Sequence, residues 1–155
     1  MDDIFLCIMT RELCHEFFRN FENDPDIFMD MSLFSKYKYD EGTVDRYFDS
    51  KQDRVMLAIM KDDRVIGEIH LKNIDHSKKE CTLSIHMQND AVKGYGYGTY
   101  AEKLALRYAF ENLGMAAVNA DVITKNTRSS HVLEKIGFEY IKEANGFRYY
   151  RFERR

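Results

Sequence analysis

Three observations predict a single mixed α/β domain. Residues 55–87 hold three strand-like runs separated by short turns, the pattern of an antiparallel meander. A loop with glycines at alternate positions, 94, 96 and 98, leads directly into a strongly helical segment. Near the C-terminus, Asn145-Gly146 separates two more strand-like runs, a strong hairpin signal. With 155 residues, 45% hydrophobic and 14% aromatic, the chain has material for one sizeable core, and two independent domains would be cramped. Residues 1–155 are therefore read as one domain.

The elements follow in order. Residues 4–9 are apolar and read as a strand, and Thr10 is placed to cap a helix carrying Leu13, Cys14, Phe17 and Phe18. Residues 23–40 contain the only proline, Pro25, and many aromatics without a clean period, so they read as loop and short helix. Thr43 is the expected cap of a second short helix through Tyr47 and Phe48, whose aromatic face is a candidate substrate wall. Residues 55–60 are continuously apolar, as in a buried strand, and Asp62-Asp63 turns the chain into a partner strand over 65–74. Over 81–87, Cys81, Leu83, Ile85 and Met87 alternate with Thr82, Ser84 and His86.

A helix is expected over 99–113, with Ala101, Leu104, Ala105, Tyr108 and Ala109 inward and Lys103, Arg107 and Glu111 outward; Gly114 closes it. A strand over 116–124, a short helix over 129–136 ended by Gly137, and the terminal hairpin complete the order.

Composition excludes several classes. The net charge of −3 and the pI near 6.0 favour neither nucleic acid nor an anionic membrane surface as partner. Cys7, Cys14 and Cys81 are an odd number with no Cys-x-x-Cys pair, which argues against a disulfide framework or a zinc site, and no metal is expected. Asp2 and Asp3 precede only a short apolar run, so neither a secretion signal nor a membrane span is read, and the expected compartment is the cytoplasm.

The loop Lys93-Gly94-Tyr95-Gly96-Tyr97-Gly98-Thr99 carries the functional signal. Glycine lets consecutive amides turn inward, and the following helix adds unsatisfied N–H groups and the positive end of its dipole. The loop is thus suited to a diphosphate. It lacks the Gly-Lys-Ser/Thr of nucleoside-triphosphatase loops, and only 57 residues follow Gly98, too few for a doubly wound dinucleotide fold.

These residues resemble the GNAT superfamily of acyl-CoA-dependent N-acetyltransferases, most nearly its ribosomal-protein N-terminal acetyltransferase branch. The resemblance spans roughly residues 55–138. The family signature Gln/Arg-x-x-Gly-x-Gly/Ala is matched from Lys93 to Gly98 with lysine at its first position, which keeps a cation there. A second stretch, from Asn126 to Phe138, is similar to the family's Asn-x-x-Ser/Ala helix ending in Glu-Lys-x-Gly-Phe.

The resemblance implies a GNAT-like mixed sheet, mostly antiparallel, flanked by about four helices and splayed like a V between the strand ending near Met87 and the strand after Gly114. Acetyl-CoA would lie in the split as cosubstrate. Where the strands part, backbone groups of Ile85, Met87 and Gln88 lose ladder partners and can pair with the pantetheine arm. The amides of Gly94, Tyr95, Gly96, Tyr97, Gly98 and Thr99 would hold the diphosphate. Asn126 would anchor the pantetheine or acetyl end, or serve as a cap or turn residue, while Ser129, His131 and Val132 face the thiol.

Acetyl transfer needs a neutral amine, a polarised carbonyl and a proton for the departing thiolate. A backbone N–H in the 85–88 segment is the expected carbonyl donor. The strand position where many relatives carry a glutamate reads Thr82-Leu83, so Asp121 and His86 stand as candidate bases, with Glu68 and His70 as further contenders. The family's tyrosine acid falls at Leu133, which leaves Ser129 or water to serve the sulfur. Tyr95, Tyr97 and Tyr100 read as packing residues.

The expected activity is transfer of an acetyl group to a primary amine by direct attack in a ternary complex. The acceptor is left open among a protein N-terminus, a polyamine and other small amines. A non-catalytic coenzyme A sensor or scaffold is the alternative. The C-terminal strand, 147–152, is a candidate interface edge, so a homodimer is one option.

Overall fold

The computed structural model describes residues 3–24, 32 and 34–155. Its seven-stranded sheet runs in the order β1-β2-β3-β4-β5-β7-β6, with β1 Ile4–Ile8, β2 Val55–Lys61, β3 Arg64–Asp75, β4 Glu80–Met87, β5 Ala117–Ile123, β6 Glu139–Ala144 and β7 Phe147–Glu153. The helices are α1 Arg11–Arg19, α2 Glu41–Ser50, α3 Tyr97–Glu111 and α4 Thr127–Ile136. Every strand pair is antiparallel except β4 with β5. The mixed, mostly antiparallel architecture expected from the sequence is the observed one.

The continuous apolar run of β2 is explained by burial on both faces. Leu57 and Ile59 point into one core with Ile69, Leu71, Leu83, Ala101, Ala105 and Leu133. Met56, Ala58 and Met60 point into another with Cys14, Phe17 and Val44. Helices α1 and α2 therefore cover one face, and α3 and α4 the other. Each fully buried leucine or isoleucine contributes about 1.5–3 kcal/mol.

Thr10 caps α1 as expected, its hydroxyl accepting from the Leu13 amide at 3.1 Å. The cap of α2 is Asp40 rather than Thr43: the Asp40 carboxylate accepts from the Thr43 amide at 2.8 Å, so Thr43 lies inside the first turn. Helix α3 begins at Tyr97, two residues before the expected start, because Gly96 at φ 80° serves as its cap. The expected loop and short helix over 23–40 fall partly outside the described residues, Pro25 and Phe28 included.

One feature of the sheet positions the site. Strands β4 and β5 pair over only three residues, from Glu80 opposite Ala117 to Thr82 opposite Asn119, and then part. Beyond that point β4 stays with β3, and β5 stays with β7. The closed end of this V is held by Arg151 of β7, which donates to both Glu80 and Asn119, while Asn119 donates to Glu80 at 3.3 Å. The C-terminal strand is interior to the sheet, between β5 and β6, so the exposed edge on that side is β6 and not residues 147–152.

Candidate active site

At the open end of the V the amide of Gln88 donates to the Ile66 carbonyl at 2.8 Å, on the β3 side. Alternation along β4 then turns the backbone groups of Ile85 and Met87 to the other side, where β5 has already left. Those groups face the opening. Gln88, expected to lose its partners there, keeps them: its carbonyl accepts from the Glu22 amide at 2.9 Å and its side chain donates to the Phe17 carbonyl at 3.0 Å. It ties β4 to the end of α1 instead.

The glycine loop faces this opening. Gly94 and Gly96 have φ of 84° and 80°, a left-handed backbone that other residues adopt only with strain. Gly98 lies in the first turn of α3, where an added Cβ would sit 3.8 Å from both Ile85 Cδ1 and Met87 Sδ, so the helix start rests directly on β4. The first amides of α3 have no intrahelical partner and point out of the helix end. Lys93 extends to Asp24 at 3.2 Å and Asp90 at 3.3 Å, so two acids already balance the cation at the signature's first position.

A cavity of ≈ 420 Å³ joins these parts, lined among others by Ile85, His86, Met87, Lys93, Gly94, Gly96, Tyr97, Gly98, Thr99, Asn126, Ser129 and Val132, and by Phe21, Glu22, Asp24 and Arg128. A smaller one of ≈ 180 Å³ adjoins it through the V and holds Ser84, Asp121 and Phe147. Ile85, His86, Glu102, Asn126 and Ser129 line both.

One expected side-chain contact falls outside. His131 is exposed and lines neither cavity, because two residues along a helix turn the side chain roughly 200° from Ser129. Tyr95, whose amide is the part expected at the diphosphate, is 61% exposed and its ring stacks on Tyr97 at 5.3 Å, so it is not the packing residue that the sequence suggested. Asn126 takes the capping role: its Oδ1 accepts from the Ser129 amide at 3.1 Å while the residue still lines both cavities.

The strongest electrostatic feature is a carboxylate that supports His86. Glu68, buried on β3 opposite His86, lies 3.5 Å from His86 Nδ1 and 3.2 Å from His70 Nε2. Tyr47 from α2 donates its hydroxyl to Glu68 at 2.9 Å and meets His70 Nε2 at 3.1 Å. The single phenolic proton goes to the carboxylate, so Tyr47 accepts from His70 and fixes its Nε2–H tautomer. Burial pushes Glu68 up, but the two histidines outweigh it and hold its carboxyl below the ordinary range. Burial and the adjacent Glu68 raise Tyr47 well above the usual phenol. His86 itself is half exposed, with Nδ1 toward Glu68 and Nε2 turned away from it.

Asp121, the other candidate base, is exposed and reaches only the smaller cavity. Cys14 and Cys81 are buried thiols pushed up to about 12 and about 11 by desolvation first of all, which makes them packing residues. Glu102 carried no expectation from the sequence. It is 2% exposed, its Oε2 has no hydrogen-bond partner among the described residues, and burial raises its carboxyl to about 8. The available signal was its place in the inward stripe of α3, one residue after Ala101 and one turn after Gly98.

Residues 6–139 match the family described as the acetyltransferase (GNAT) domain. The chain belongs to that family and is an acyltransferase. It is 35% identical over 77 residues to the probable N-acetyltransferase YjcK of Bacillus subtilis, a match covering 50% of this chain and 42% of that protein. The chain thus aligns with less than half the length of that relative. Among solved structures it is similar to the dodecameric spermidine N-acetyltransferase of Vibrio cholerae, with a TM-score of 0.73, 15% identity, and 99% and 95% of the two chains covered. It is also similar to the microcin C7 self-immunity acetyltransferase MccE in complex with acetyl-CoA and AMP, with a TM-score of 0.75, 15% identity, and 99% and 93% covered. At these identities the structures establish the fold of the GNAT enzyme.

Proposed function

We propose that this GNAT enzyme transfers an acetyl group from acetyl-CoA to a primary amine by direct attack in a ternary complex. One observation carries the reading. The opening between β4 and β5 brings a diphosphate-suited loop, strand backbone beyond the last β4–β5 pair and a carboxylate-backed histidine to one cavity.

The parts of that cavity fit the donor. The amides of residues 94–99 and the start of α3 suit its diphosphate, and Ile85 and Met87 offer the backbone pairing that a pantetheine arm requires. Arg128, exposed at the start of α4, adds a cation to the lining. The thioester supplies an activated acyl group, and a β4 amide already held by the sheet polarises its oxygen without reorganisation.

His86 takes a proton from the acceptor nitrogen through Nε2. Glu68 stabilises the imidazolium that results, and Tyr47 and His70 keep Glu68 charged and oriented. Asp121, across the smaller cavity, relays protons to solvent. Ser129 donates a hydrogen bond toward the sulfur, and this residue is also what favours the ribosomal-protein branch and hence a protein N-terminus as acceptor.

The test is thiol release from acetyl-CoA with a peptide N-terminus, spermidine and an aminoglycoside as acceptors, comparing wild type with His86→Ala and Glu68→Gln. Turnover with at least one amine, cut roughly 10²–10⁴-fold in His86→Ala, is expected. Tight acetyl-CoA binding with no turnover on any amine supports the sensor and overturns the enzyme mechanism.

A further inference from the structure

Resting on the acetyltransferase reading above, we propose that Glu102 is the acid of the reaction, giving the proton of its buried carboxyl group to the coenzyme A sulfur as the C–S bond breaks. The usual acid position holds Leu133, which is 1% exposed and has no proton to give. Ser129 can hydrogen-bond a thiolate, but an alcohol does not release its proton near neutral pH.

Glu102 projects from the second turn of α3 into the wall common to both cavities, beside Ile85, His86, Asn126 and Ser129. A charged carboxylate so enclosed, its Oε2 without a hydrogen-bond partner among the described residues, is costly, so the group is held as a neutral acid. The titratable groups that share its cavities are Glu22, Asp24, His86, Lys93, Tyr97, Asp121 and Arg128. None of them is a cause of its raised pKa, which burial alone accounts for.

The protons and bonds balance. The amine nitrogen forms a bond to the acyl carbon, and the carbon–sulfur bond breaks with its electron pair leaving on sulfur. Glu102 protonates that sulfur to give free thiol, and His86 accepts the proton lost by nitrogen. Transfer of that proton through solvent from His86 to the Glu102 carboxylate restores both groups.

The experiment compares wild type with Glu102→Gln, an isostere that keeps a hydrogen-bond donor but has no acidic proton. Expected are an unchanged Kd for coenzyme A, a kcat lowered roughly 10²–10⁴-fold and no change in KM for acetyl-CoA. The wild-type fall in kcat above about pH 8 should be absent from the variant. A variant that retains wild-type kcat, or loses only KM, overturns the proposal. Wild type that fails with every amine instead overturns the reading on which it rests. As a measurement independent of turnover, the Glu102 carboxyl carbon in ¹³C-glutamate-labelled wild type should titrate near 8. Titration near the ordinary value of about 4.3 overturns the proposal even if the variant does not fold.

Discussion

Two alanine substitutions in the glycine-rich stretch that leads into α3, four residues apart, should move stability in opposite directions. Gly94 has φ 84° and open space around the position of an added Cβ, so Gly94→Ala meets no clash and its whole cost is backbone strain. The left-handed conformation costs an L-residue about 1–2 kcal/mol. A domain of this size loses roughly 2–4 °C per kcal/mol, which predicts a Tm lowered by about 2–8 °C. Gly98 has no positive φ, is helical, and its added Cβ would make ordinary contacts of 3.8 Å with Ile85 and Met87. Replacing a helical glycine removes unfolded-state freedom worth up to about 1 kcal/mol, so Gly98→Ala should hold or raise Tm by up to about 4 °C. Saturating acetyl-CoA at 100 times Kd should add about 2.7 kcal/mol, or about 5–10 °C, to wild type. That increment should shrink in Gly94→Ala, whose loop amides no longer turn inward without strain. Differential scanning calorimetry with and without acetyl-CoA reads all of these values. A Gly94→Ala protein that melts with wild type, or a Gly98→Ala protein that loses as much as Gly94→Ala, would refute the loop geometry.

Glu68 makes acid stability a second test. Its folded pKa is depressed from 4.5 to about 2, so its contribution is complete above the unfolded value and is lost as pH falls through that window. Urea midpoints measured across the window should fall steeply for wild type and less steeply for Glu68→Gln; parallel curves would contradict the assignment. Tyr47→Phe removes the donor to Glu68 and the acceptor for His70, and should cost about 1–3 kcal/mol in urea unfolding. Asn126→Ala should lose about 1 kcal/mol of helix capping, whereas Asn126→Asp keeps the cap. If Asn126 also anchors the acetyl donor, Asn126→Asp raises KM for acetyl-CoA at wild-type Tm, and an unchanged KM would leave only the cap.

Much of the fold was legible because its signals are local. The Asn145-Gly146 turn, with Asn145 at φ 55°, joins β6 to β7 as expected, and Gly137 ends α4 at φ 119°. Local signals failed where two neighbours competed for one role. Asp40 and Thr43 both have capping side chains, and spacing alone does not show which of them accepts and which donates. The strand at 147–152 has the composition of an edge, but β6 folds back over it, and sheet order is a property of the whole chain.

The candidate site divides along the same line. The glycine loop and Asn126 lie in contiguous motifs that a sequence can single out, whereas the support for His86 is assembled by register. Glu68 and His70 are brought beside His86 because β3 and β4 pair Glu68 with His86 and His70 with Ser84, and Tyr47 arrives from a helix 21 residues from Glu68 in sequence. No spacing rule links these positions. Glu102 is the sharper case, since its face was predictable and its chemistry was not. An inward glutamate among Ala101, Ala105 and Ala109 conflicts with core patterning, and such a conflict is tolerated where a buried polar group serves a purpose. A carboxyl kept neutral by burial at the wall where two cavities meet can give up a proton at near-neutral pH. A solvated carboxyl on the opposite face of α3 would already have lost it.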